Sequence, residues 1–175
     1  MAITRLGPNQ SINLASNVTG TLPAANVATL TSSNLPSGSV IQVVKGSVAT
    51  TATTVNSTTL TATGTSVSIT PTSTSSKILL SVTFNGGKNG ANDGGGFSIF
   101  RDGTTNLASG SNDYHLVYDS HTTNRHDTIH IEFLDEPNTT SSVSYELYHR
   151  KYNSSTAKVA GSFAGRYIQA MEIKG

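Results

Sequence analysis

The five histidines, His115, His121, His126, His130 and His149, offer the widest chemistry in this chain. A neutral imidazole can ligate a transition metal or move a proton near neutral pH. His126 and His130 stand four apart, which converges on a helix but not in an alternating run such as Thr128 to Leu134 (TIHIEFL). There is no cysteine, so thiolate zinc sites and cysteine nucleophiles are excluded together. The histidines therefore read as exposed or subunit-contact residues. A metal would need rings from three protomers to meet on an axis, and no metal is expected otherwise.

The acidic residues Asp113, Asp119, Asp127, Asp135 and Glu136 lie in or beside polar stretches. Two carboxylates at a fixed separation could hydrolyse a glycosidic bond. Nothing in the spacing pairs them, and loop acids commonly cap turns. No serine sits in a nucleophile elbow. Gly94-Gly95-Gly96 lacks the lysine and the following helix of a phosphate site. The chain is expected not to be an enzyme and to need no cofactor.

Tyrosine is the better binding candidate, since it joins a rigid apolar face to a polar tip. Tyr114, Tyr118 and Tyr152, with His121 and His126, form the candidate ligand or interface surface. Tyr148 and Tyr167 are binding candidates as well, and since several of the five alternate with core positions, some read as rim residues of the sandwich. The sequons at Asn17, Asn56, Asn138 and Asn153 follow from a composition rich in Ser and Thr.

That composition also sets the class. Only 12% of the residues are charged, about half the usual share, and the net charge is +1. So neutral a chain is not held in solution by charge, and suits an assembly in which neighbours cover its surface. The balance of basic and acidic residues argues against nucleic acid. No apolar run approaches a membrane span, and the start has no apolar stretch typical of a signal peptide.

Two regions follow. Residues 1–39 are punctuated by Gly7-Pro8, Gly20, Pro23, Pro36 and Gly38, and hold no period. Pro23 to Leu30 could form two helical turns. The region reads as an extended arm whose scattered Ile3, Leu6, Ile12, Leu14, Val18 and Leu22 pack on its own sandwich, a sister subunit or a larger assembly, the last two foremost. From Val40 the period becomes two. Strands are expected at Val40–Lys45, Thr53–Thr61, Ser66–Thr70, Lys77–Phe84 and Phe97–Arg101, the last turning at Asp102-Gly103. Further strands are expected at Tyr114–Tyr118, Thr128–Leu134, Val143–Arg150 and Tyr167–Ile173. Residues 85–96, 108–127 and 152–165 are expected to hold the loops. The expected fold is all-β, an antiparallel β-sandwich of jelly-roll type over residues 40–175.

Several segments resemble known proteins. Val18 to Pro23 (VTGTLP) is similar to the linker before tail-fibre tip domains of phages. Residues 39–44 (SVIQVV), 66–82 (SVSITPTSTSSKILLSV), 94–104 (GGGFSIFRDGT), 133–148 (FLDEPNTTSSVSYELY) and 170–175 (AMEIKG) resemble, in the same order, a family of small virion proteins of marine and freshwater phages, including cyanophages. The likeness covers most of residues 18–175, and its motifs are strands and turns. It implies a homotrimeric virion surface protein, assembled in the host cytoplasm: a capsid decoration (cement) protein gripping the major capsid protein or another virion protein. The alternative it implies is a tail-fibre or tailspike tip that recognises a host surface glycan. Residues 18–39 lack the Gly-Gly-Thr-Gly continuation of repetitive fibre linkers, which counts against a long fibre.

Overall fold

A computed structural model describes residues 31–89, 93–108, 113–119, 125–152, 156–160 and 167–175; at 89, 93, 117–119, 125, 126 and 156–160 it describes the backbone alone. The chain divides into compact units at Met1–Asn34 and Leu35–Gly175. Of the first unit, the described part is a short 3-10 turn at Ser32–Asn34. The arm residues and the turns expected at 23–30 lie outside the described residues.

The second unit is all β. Its strands are β1 (Val40–Lys45), β2 (Thr53–Val55), β3 (Thr61–Ile69), β4 (Lys77–Asn89), β5 (Asp93–Arg101), β6 (Thr105–Asn106), β7 (His115–Asp119), β8 (Arg125–Asp135), β9 (Val143–Lys151), β10 (Thr156–Ala160) and β11 (Tyr167–Ile173). All pairings are antiparallel.

Several short strands are halves of longer ones. β11 lies along residues 77–83 of β4, and β10 continues along 85–89. β1 pairs with β11 and β2 with β10. Likewise β6 and β7 share one edge of β5. The first sheet therefore runs β1/β2, β11/β10, β4, β8, and the second runs β3, β9, β5, β6/β7.

Side-chain alternation decides which face is buried. On β9, Val143, Tyr145, Leu147 and His149 are buried while Ser144, Glu146, Tyr148 and Arg150 face out. On β11, Ile168, Ala170 and Glu172 are the buried set. Ile78, Leu80, Val82 and Phe84 of β4 meet Phe97 and Ile99 of β5 and Leu147 of β9 in one core. The Phe84 and Phe97 rings, 5.0 Å apart, bridge the sheets. Each such side chain contributes about 1.5–3 kcal/mol by leaving water, so this layer dominates stability.

Polar latches close one end. Arg101 on β5 donates to both carboxylate oxygens of Asp135 on β8 at 2.9 and 2.8 Å, and the Tyr145 hydroxyl on β9 donates to the same carboxylate at 2.7 Å. Burial, then Asp135, push the Tyr145 hydroxyl far above its usual range, so it remains a donor. Asp102 and Gly103, with φ of 50° and 67°, make a left-handed turn closed by Thr104 N donating to Arg101 O at 3.1 Å, inside the three-residue loop 102–104 between β5 and β6. Asp102 Oδ1 then accepts from Ser144 N at 2.9 Å and anchors the hairpin to β9.

Some expectations need correction. Thr53–Thr61 is not one strand: β2 ends at Val55, and β3 starts at Thr61 in the other sheet. Thr-rich sequence suits strands whether or not the chain changes sheet within it. The expected glycine-bracketed loop shrinks, because Gly86-Gly87 belong to β4 and Gly94-Gly95-Gly96 to β5. A Cβ on Gly96 would lie 2.5 Å from the Tyr114 ring, so this glycine admits a side chain across the strand rather than a turn. Residues 125–127 extend β8, and β10 occupies part of the loop expected at 152–165.

Candidate functional site

The three candidate tyrosines gather at Gly94–Gly96. Tyr118 of β7 pairs with Gly94, and Tyr152 N donates to Gly94 O at 3.0 Å. Tyr114 lies against Gly96, and the Arg150 guanidinium carbon sits 4.6 Å from its ring centroid. Phe100 and Tyr148 stack beside them on the same outer face of the second sheet, centroids 4.2 Å apart. The Tyr114, Phe100 and Tyr148 rings thus each have one face committed within the chain. His126 lies near the start of β8 and pairs through its backbone with Gly87 of β4, in the first sheet. His121 and the side chains of Tyr118 and His126 lie outside the description. So do Ile3, Leu6, Ile12, Leu14, Val18 and Leu22.

The first sheet's outer face differs. Val43 pairs with Met171, Met171 with Leu79, and Leu79 with Leu134. Alternation turns all four outward, since Val44, Ala170, Ile78, Leu80 and Phe133 belong to or pack on the core. Four apolar side chains therefore form one row across four strands, roughly 14 Å wide at about 4.8 Å per strand. Val43 and Leu134, at its two ends, are each 57% exposed. Val40, 51% exposed, and Ile173 extend it on the β1–β11 side. Adjacent polar cross-strand neighbours make a second row: Lys45, Gln169, Ser81 and Glu132. An exposed apolar stripe with a polar border marks an interaction surface.

Sequence reasoning missed this row. Its signal was the broken alternation in Val43-Val44, Ile78-Leu79-Leu80 and Phe133-Leu134, where apolar residues fall on both faces. Such runs indicate strands covered on both sides.

Ionisable groups inside the sandwich have structural roles. Glu172 is fully buried. Its carboxylate accepts from Gln42 Nε2 at 2.6 Å, Thr72 N and Oγ1 at 2.7 Å each, and Ser76 Oγ at 2.6 Å. Burial alone would raise its pKa, but these donors outweigh it and hold the carboxyl below its ordinary value. It ties β1 and the β3–β4 turn to β11. His149 is also buried, and burial lowers its pKa from 6.5 to about 4, so it is neutral. Its Nδ1 has no hydrogen-bond partner among the described residues. Among the described residues no three His, Cys, Asp or Glu are grouped to hold a metal ion. No described helix is long and apolar enough to cross a membrane.

The class these features define is an all-β antiparallel sandwich with one open apolar face. No family model matches the chain, and no curated protein matches it.

Proposed function

We propose that this chain is a non-catalytic assembly module of a phage particle, a homotrimeric capsid decoration (cement) protein. The observation that carries the assembly reading is the apolar row Val43–Met171–Leu79–Leu134 on an outer face of the sandwich. A surface of that kind supports broad packing, and many weak copies on a lattice give avidity. Asp135 and Glu172 each accept several intramolecular hydrogen bonds, which supports a structural rather than a catalytic role. We read the strand order β1/β2, β11/β10, β4, β8 against β3, β9, β5, β6/β7 as jelly-roll winding, an architecture shared by capsid and lectin domains. The particle itself enters through the resemblance of the strand and turn segments.

The second reading, a glycan-binding tip of a tail fibre, is favoured by the Tyr114, Tyr148 and Phe100 cluster. It ranks lower because those rings are already stacked within the chain. Quantitative mass spectrometry of purified particles tests the proposal. Hundreds of copies per particle are expected. A few trimers per particle would move the chain to the fibre, and its absence would remove the particle reading altogether.

A further inference from the structure

We infer that the outer face of the first sheet is self-complementary, and that its partner is a second copy of this chain docked about a two-fold axis. The axis runs parallel to the strands, between β11 and β4. The inference rests on reading this face as an assembly surface, and adds the identity of the occupant.

The strand order carries the argument. Along the apolar row the sequence is Val43, Met171, Leu79, Leu134, and along the neighbouring row it is Lys45, Gln169, Ser81, Glu132. A two-fold axis between the central strands reverses each row from left to right but keeps its height. Val43 then faces the partner's Leu134, and Met171 faces the partner's Leu79. Large exposed apolar residues meet at both ends, and apolar residues meet at the centre. In the next row Lys45 faces the partner's Glu132, and Glu132 faces the partner's Lys45. The two ends of the polar row carry opposite charges, so the reversal pairs unlike charges twice. Its middle, Gln169 and Ser81, is neutral. A contact in which residue i meets j and j meets i is the signature of an isologous interface. Glu132 also reaches His130 at 3.3 Å, with both side chains about half exposed, so its carboxylate is available at the surface. Face-to-face sheets pack about 10 Å apart, which Val, Leu and Met side chains fill.

A two-fold contact yields two chains, or six where it joins two three-fold rings. The test is light scattering and sedimentation of the full-length protein over a range of concentrations. Six times 18.2 kDa is expected if the protein is also trimeric, and twice 18.2 kDa would uphold the two-fold contact and remove the three-fold ring. Leu134→Lys should abolish the pairing without changing the thermal unfolding midpoint at dilutions where the parent protein is also a single chain. Lys45→Glu and Glu132→Lys should each weaken pairing about tenfold or more, and combining them should restore it, since the double swap recreates the unlike pairs. A zero-length carbodiimide cross-link between Lys45 and Glu132 should join isotopically distinct chains. Within one chain these residues lie three strand spacings apart, roughly 14 Å, beyond its reach. A monomer or a trimer at all concentrations overturns the inference. So does pairing that ignores Leu134→Lys, or a double swap that fails to rescue. A monomer that still decorates particles overturns it and leaves the decoration proposal standing. Pairing in solution by a protein absent from particles upholds it and removes that proposal.

Discussion

The two sheets of this sandwich solve the same inner problem with opposite chemistry, and present opposite outer faces. The first sheet buries Glu172 as a charged group saturated by Gln42, Thr72 and Ser76. The second buries His149 as a neutral group with one nitrogen unpaired among the described residues. Outside, the first sheet leaves Val43 and Leu134 open. The second stacks Phe100 on Tyr148 and Arg150 on Tyr114. The lesson is that the residue types suggesting recognition, tyrosine and arginine, are committed within the fold, while plain aliphatic residues form the open surface.

Four experiments can break or sharpen that contrast. Glu172→Ala should have the largest effect, because Gln42, Thr72 and Ser76 would lose a common acceptor in a buried site. A loss of about 3–5 kcal/mol is expected in denaturant unfolding, and less than 1 kcal/mol would demote the latch.

The second prediction concerns pH. The folded pKa of His149, about 4, lies below its ordinary 6.5, so the unfolded chain takes up the proton first as pH falls. The stability linked to His149 is fully present above pH 6.5 and is lost as pH falls from 6.5 towards 4. The expected loss is on the order of 3 kcal/mol across that window. His149→Leu should flatten it. Glu172, held below its ordinary value, acts in the same direction at lower pH: its contribution is present above about 4.5 and is lost as pH falls through the folded pKa. Urea midpoints at pH 7.5, 5.5 and 4 separate the two groups. An unchanged slope in the His149 variant would place the acid lability elsewhere.

Third, Tyr148→Ala should cost about 1–2 kcal/mol through loss of its stack on Phe100, and leave chain association unchanged. An association defect would turn the second sheet's face into an interface. The smallest effect on stability is expected for Leu134→Ser at dilutions where the chains are unpaired, within about 0.5 kcal/mol, because in a single chain the side chain is already largely in water. A large destabilisation would mean that Leu134 is packed inside a single chain.

Much of this organisation was legible in the residues. The alternation of Val143 to Arg150 set Tyr145 and His149 on one face with Val143 and Leu147, and Asp102-Gly103 marked the turn after Arg101. The run Tyr167 to Ile173 gave Ile168, Ala170 and Glu172 a common face. These features are local: a period of two and a positive φ need no partner strand to be recognised. Gly94 to Gly96 misled, because a glycine cluster reads as a loop until a side chain such as Tyr114 is seen lying across it.

The sequence by itself determined an all-β antiparallel fold, the facing sets of the strands around Ile131, Tyr145 and Ala170, and the absence of any thiol chemistry. Only the tertiary structure decided what the outward residues do. Val43, Leu79, Leu134 and Met171 are scattered over about 130 positions, and nothing in their spacing relates them. They become one row because β11 and β8 flank β4 in a fixed register, and β1 pairs with β11. Register is a property of pairing between distant strands, set by the core they jointly enclose. For the same reason, tyrosines that looked free along the chain meet Arg150, Phe100 and Gly96 in space.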